Sequence, residues 1–169
     1  MTSRRTGGFT LVELLVVMVI VAISFFALQP AFSGAVQGAQ ERAALRQLSG
    51  LFSAARAQAV ARGRLVRVAS DLGEGAFWAE IQSDPSGDRS AFEPLSILGR
   101  SAIALPDHLA VVELSIGGVD AALPRADIYF YPDGTADGAA IVLADEAGRE
   151  IELTVTPATG QVRVDVWWG

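Results

Sequence analysis

An apolar run from Phe9 to Leu28, broken only by Thr10, Glu13 and Ser24, constrains this chain more than any other feature. About twenty residues in α-helix rise about 30 Å, the thickness of a bilayer's hydrocarbon core. Arg4 and Arg5 precede the run. The positive-inside rule therefore predicts that the extreme N-terminus stays in the cytoplasm and that the rest crosses. Glu13 is the anomaly, because a charged side chain at the centre of a bilayer costs roughly 2.5–3.5 kcal/mol. Three readings compete at this point. A secretory signal peptide would need a small-residue cleavage site, for which Ser33 to Ala35 is the available stretch. A plain membrane anchor would leave Glu13 snorkelling or neutral. A helix packed against related helices would pair Glu13 with a cation, which makes a buried carboxylate tolerable.

The segment "GGFTLVELLVVMVIV", Gly7 to Val21, resembles the leader and mature N-terminus of type IV pilin-like proteins. The resemblance implies that a prepilin peptidase cuts between Gly8 and Phe9 on the cytoplasmic side, then methylates the amine of Phe9. Residues 1–8 are then a leader and residues 9–29 the transmembrane half of a helix. Loss of Arg4 and Arg5 with the leader takes the formal charge from −6 to −8. So acidic a body argues against a nucleic-acid partner, since that affinity comes largely from phosphate neutralisation. Glu13 takes the position of the family's register glutamate and Pro30 that of its helix-loosening proline. The cut creates an ammonium at Phe9. Its partner is Glu13 of an adjacent subunit or of the same chain, and the pair would define the stagger between helices rather than add bulk stability.

Beyond the apolar run, Phe32, Val36, Ala39, Ala43, Leu48, Leu51, Phe52, Ala55 and Ala59 recur at helical spacing among Gln, Glu and Arg. This predicts an amphipathic half, residues 30–63, with an alanine-rich stripe suited to close approach. The ring of Pro30 predicts a bend, and Gly63 a stop. The helix should thus run from about Phe9 to Arg62.

From residue 64 to 169 the period changes to two. "RLVRVAS", "AFWAEIQ", "LAVVELSI", "ADIYFYP", "AAIVLAD", "REIELTVT" and "QVRVDVWW" are expected as seven strands. "DEAGRE" and "TPATGQ" separate neighbouring strands at hairpin distance. The fold class is therefore α+β: a long N-terminal helix packed on a C-terminal antiparallel β-sheet head. The stretch from Phe130 through Pro132, Asp133-Gly134, Gly138 and Arg149 to Thr159-Gly160 adds a second resemblance. It is similar to the C-terminal hallmark of the minor pilin group that includes the H-type minor pseudopilin of type II secretion and the FimT/FimU minor pilins.

Chemistry is sparse by comparison. With no cysteine there is neither a disulfide framework nor thiolate catalysis. The one histidine, His108, is expected as a surface or capping residue at a loop-to-strand junction. No phosphate-binding glycine loop occurs. The turns containing Asp84 and Asp88, and Asp133 and Asp137, are weak candidates for calcium, though Asp and Gly are ordinary turn residues. No catalytic residue and no cofactor is expected. Of Trp167 and Trp168, strict alternation sends one to the core.

The expected function is that of a minor pseudopilin, a structural subunit at or near the tip of a type II secretion pseudopilus. It would be anchored in the inner membrane with its head in the periplasm. Its partners would be the major and other minor pseudopilins, the prepilin peptidase, and secreted proteins as a further contact. The alternative is a FimT/FimU-like minor pilin of a type IV pilus, serving adhesion or DNA uptake. A more distant alternative is an anchored enzyme or ligand-binding domain.

Overall fold

The computed structural model describes residues 10–86, 91–97, 99–121 and 124–167, with backbone alone at 26–35, 166 and 167. The chain divides into two compact units, residues 1–39 and 40–169. Helix α1 spans Leu11–Arg62. Its part in the first unit is apolar, and every described side chain from Leu11 to Phe25 is exposed. Among the described residues no helix is long and apolar enough to cross a membrane. The expected span 9–29 begins before these residues and ends where only backbone is described.

In the second unit, Ala44, Leu48, Leu51, Phe52, Ala55 and Ala59 are buried. Their spacing of three and four keeps them on one helix face. Ala43 of the expected stripe is only half-buried, and Ala44 takes the inward position instead. Gly63 terminates the helix with φ of 60°. The Arg64 N–H reaches back to the Ala59 carbonyl at 3.3 Å, the bond of a Schellman cap.

Ten strands follow among the described residues, where seven were expected. They are β1 (Val66–Asp71), β2 (Ala76–Gln82), β3 (Phe92–Leu95), β4 (Ile103–Ala104), β5 (Leu109–Ile116), β6 (Val119–Asp120), β7 (Arg125–Phe130), β8 (Ala139–Asp145), β9 (Glu150–Val155) and β10 (Val162–Trp167). They form two antiparallel sheets in place of one. The first runs β3-β2-β1-β7, with β4 also on β2; the second runs β10-β9-β8-β5-β6. The three unexpected strands are short; one carries a breaker and another directly follows a glycine pair. Pro94 interrupts β3, but β3 lies at a sheet edge, where a missing N–H is tolerated. Gly117 and Gly118, at φ of 60° and 79°, make the two-residue turn from β5 into β6.

Alternation sends one face of each sheet inward. Val66, Val68, Phe77, Ile81, Ile128 and Phe130 line the first; Ile141, Leu143, Leu153 and Val155 line the second. All join one core with the buried helix stripe. Phe52 lies at its centre, its ring 6.5 Å from Phe77 and 6.1 Å from Phe130. Truncation there leaves a cavity that flanking alanines cannot refill. Phe52→Ala is expected to lower unfolding stability by about 3–5 kcal/mol; chemical denaturation followed by circular dichroism measures it.

Candidate functional site

Two groups of residues carry what the sequence singles out. The first is the start of α1. Thr10 stands at the N-cap, and the Glu13 N–H donates to its Oγ1 at 3.2 Å. Glu13 occupies the N3 position of this Thr-x-x-Glu arrangement, where a carboxylate also opposes the positive end of the helix dipole. This local role was missed in the sequence, although Thr10 three residues ahead of Glu13 signals it. Among the described residues no cation lies against the Glu13 carboxylate. Gly8 and Phe9 fall outside the described residues. Pro30 lies within the span of α1, where only backbone is described.

The second group is the set of loops that carry the C-terminal hallmark. It is tied to the helix at two points. In the β8–β9 turn, Asp145 Oδ1 accepts from the N–H groups of Ala147 and Arg149 at 2.9 and 2.8 Å. Its Oδ2 accepts from Arg149 Nε at 2.7 Å. Gly148, at φ of 77°, permits the turn. So held, Arg149 extends Nη2 to Glu41 Oε1 at 2.9 Å. Glu41 is a charged side chain buried on the helix, 7% exposed. The Arg149 N–H, foremost, and the guanidinium hold the Asp145 carboxyl below its usual range; the Asp145 hydrogen bond in turn raises Arg149.

His108 corrects the expectation of a surface or capping residue. Its side chain is only 13% exposed, and Nε2 faces Glu41 Oε1 at 3.8 Å. That buried nitrogen has no hydrogen-bond partner among the described residues. The reason is tertiary: the loop ahead of β5 brings it against the helix.

The second tie is Arg56. Its Nε donates to the Gly134 carbonyl at 3.1 Å. Gly134 and Gly160 both have positive φ, 87° and 57°. A Cβ at Gly160 would come within 2.7 Å of Arg56 Cδ, and one at Gly134 within 3.2 Å of an Arg56 nitrogen. Both hallmark glycines thus make room for one arginine. Gly138 is closed in likewise, since a Cβ there would meet Pro157 Cγ at 2.6 Å.

The acidic turns are occupied by their own chain. Asp133 Oδ1 accepts from Thr135 N and Oγ1 at 2.9 and 2.6 Å, which lowers the Asp133 carboxyl. Tyr131 donates to Asp137 at 3.0 Å, and desolvation, then this bond, raises the Tyr131 phenol. Asp84 Oδ1 accepts from Ser86 N and Oγ at 2.8 and 2.7 Å. Asp88 lies outside the described residues. Among the described residues no group of three or more His, Cys, Asp or Glu could hold a metal ion. Trp167 pairs with Glu150 through the backbone, and Trp168 lies outside the described residues.

Residues 44–160 match the family model described as type II transport protein GspH, and residues 3–28 match the prokaryotic N-terminal methylation motif. No protein of curated function matches the chain in sequence. Among solved structures, the fold is similar to that of the minor pseudopilin EpsH from the type II secretion system of Vibrio cholerae. The TM-score is 0.55 at 11% identity, covering 76% of this chain and 94% of that one. It is also similar to Escherichia coli GspH, with a TM-score of 0.56 at 14% identity, covering 78% of this chain and 91% of that one.

Two outcomes follow from the ties. Gly160→Ala should lower stability by about 1–2 kcal/mol through backbone strain and displacement of Arg56, read from thermal unfolding. Asp145 has a depressed folded pKa, so its contribution is present above the unfolded value of about 3.9 and fades as pH falls through the folded one. Asp145→Asn should therefore flatten the acid limb of a stability–pH curve below about pH 4 and leave no carboxylate-dependent slope from this site.

Proposed function

We propose that this chain, which belongs to the family of type II transport protein GspH, is a minor pseudopilin of type II secretion, a structural subunit at or near the tip of the pseudopilus. The prepilin peptidase removes residues 1–8 by cutting after Gly8 and methylates Phe9. The helix half 9–29 anchors the protein in the inner membrane, with the head in the periplasm, until it is drawn into the fibre. Pro30 loosens the helix and allows it to adjust during that transfer. Glu13 pairs with the methylated ammonium of Phe9 on a neighbouring subunit and so defines axial register. The head contacts other minor pseudopilins and, as a further partner, the secreted protein. Its action is assembly, and no reaction is assigned to it.

The observation that carries this reading is the exposure of the apolar helix. Leu11, Leu14, Leu15, Val16, Met18, Ile20 and Ile23 are each about half exposed or more. So large an apolar surface marks a segment covered by lipid or by protein. The methylation motif falls on this same segment. For a DNA-uptake role a cationic face would be needed; instead Arg149 is engaged by two carboxylates, and Arg163 lies beside Asp165.

Intact mass tests the processing step. Protein made with the peptidase should lack residues 1–8 and carry one methyl group, and equal masses with and without the enzyme would refute the cut. Glu13→Ala should still be processed but should enter fibres poorly; pull-down with the major pseudopilin measures this, and wild-type incorporation would count against the register pair.

A further inference from the structure

The outer face of the first sheet contains a depression of about 340 Å³ that the filament role does not use. Its origin lies in the strand register. Ala69 on the central strand β1 stands directly between Trp78 of β2 and Asp127 of β7. A methyl group between two large side chains leaves a pit, because directly opposed residues of antiparallel strands point to the same face.

The rim is a connected set of planar polar groups. Trp78 Nε1 donates to Glu80 Oε1 at 2.9 Å. Arg67 Nε donates to Glu80 Oε2 at 2.7 Å, and Arg67 Nη1 to Asp127 Oδ2 at 3.0 Å. The guanidinium is held further by the Phe92 ring, 4.3 Å from its centroid. Glu80 and Arg67 are each half-buried, so these orientations are set before any ligand arrives. The floor is rigid as well: the buried Ser70 hydroxyl donates to the Ala126 carbonyl at 2.8 Å. Arg125 is the loose member. It is 73% exposed, with its nearest carboxylate, Asp71, 4.0 Å away.

We propose that this pit binds a neutral saccharide, one or two pyranose rings in size. Three features select that class. The indole of Trp78 offers a flat apolar wall to the C–H face of a sugar ring. The carboxylates of Glu80 and Asp127 keep lone pairs for hydroxyl donors, and the guanidiniums of Arg67 and Arg125 donate to hydroxyl oxygens in a fixed fork. The rim's two cations balance its two anions, which favours a polar ligand without net charge over an ion. The volume suits a small ligand, at the lower end of ordinary pockets. This inference stands on the sheet's outer face alone and holds whatever the chain's place in the fibre.

The test is saturation-transfer NMR on the full chain in a zwitterionic, sugar-free detergent. The probes are N,N′-diacetylchitobiose and cellobiose at up to about 10 mM. Transfer to the ring protons of at least one disaccharide is expected. Ala69→Leu, which fills the pit, and Trp78→Ala, which removes its wall, should each weaken binding by about tenfold or more. Arg125→Ala, too exposed to disturb folding, should weaken it by about threefold and serves if the other two variants unfold. Absence of transfer from both sugars, or equal affinity in wild type and every folded variant, overturns the proposal.

Discussion

Burial of one helix face, from Ala44 to Ala59, is the contact on which the head depends. Phe52 lies against an aromatic ring from each of two strands of the first sheet, Phe77 and Phe130. The alanines before and after it let backbone and sheet approach closely. The stripe and the inner faces of both five-stranded sheets share one core. A large-to-small change at Phe52 is felt throughout because interiors are packed to near-crystalline density.

The polar ties have a different job. Glu41 and Arg56 lie fifteen positions apart, about 22 Å along a helix axis, and each receives one of the hallmark loops. A buried ion pair is weak support for stability, yet leaving one partner alone is costly. The ties therefore act against wrong registers more than they add to the right one. This accounts for the form of the hallmark. Asp145 and Gly148 shape a turn that presents Arg149, while Gly134 and Gly160 withdraw their side chains so that Arg56 fits.

The two parts of α1 meet opposite demands. Between Leu11 and Phe25 its apolar side chains are exposed; between Ala44 and Ala59 they are buried. Within one chain the hydrophobic effect is satisfied for the second part and left unsatisfied for the first, so the first part presents an apolar surface that lipid or protein would cover. Glu13 joins both themes. It helps to cap its own helix through Thr10, and in the proposed fibre its carboxylate would meet a neighbour's amine.

Periodicity was enough to read the helix to its last residue, Arg62, its stop at Gly63, and seven strands, three of them (β2, β5 and β8) to both ends. Those features are local: a repeat of three and four, a repeat of two, and a glycine free to take positive φ. Strands β3, β4 and β6 were not legible, because two-residue strands have no period and Pro94 reads as a breaker unless its edge position is known. The division into two sheets was hidden for the same reason, since strand order depends on pairings such as β1 with β7 and β5 with β8, far apart in sequence. His108 read as a surface residue because it stands at a loop-to-strand entry beside Pro106 and Asp107, whereas its surroundings are set by Glu41, remote in the chain. The sequence by itself thus determined the helix, seven of the ten described strands, and the N-terminal motif they follow. Only the tertiary structure decided what Glu41, Arg56, His108 and Ala69 touch, because those contacts join residues whose proximity no local pattern encodes.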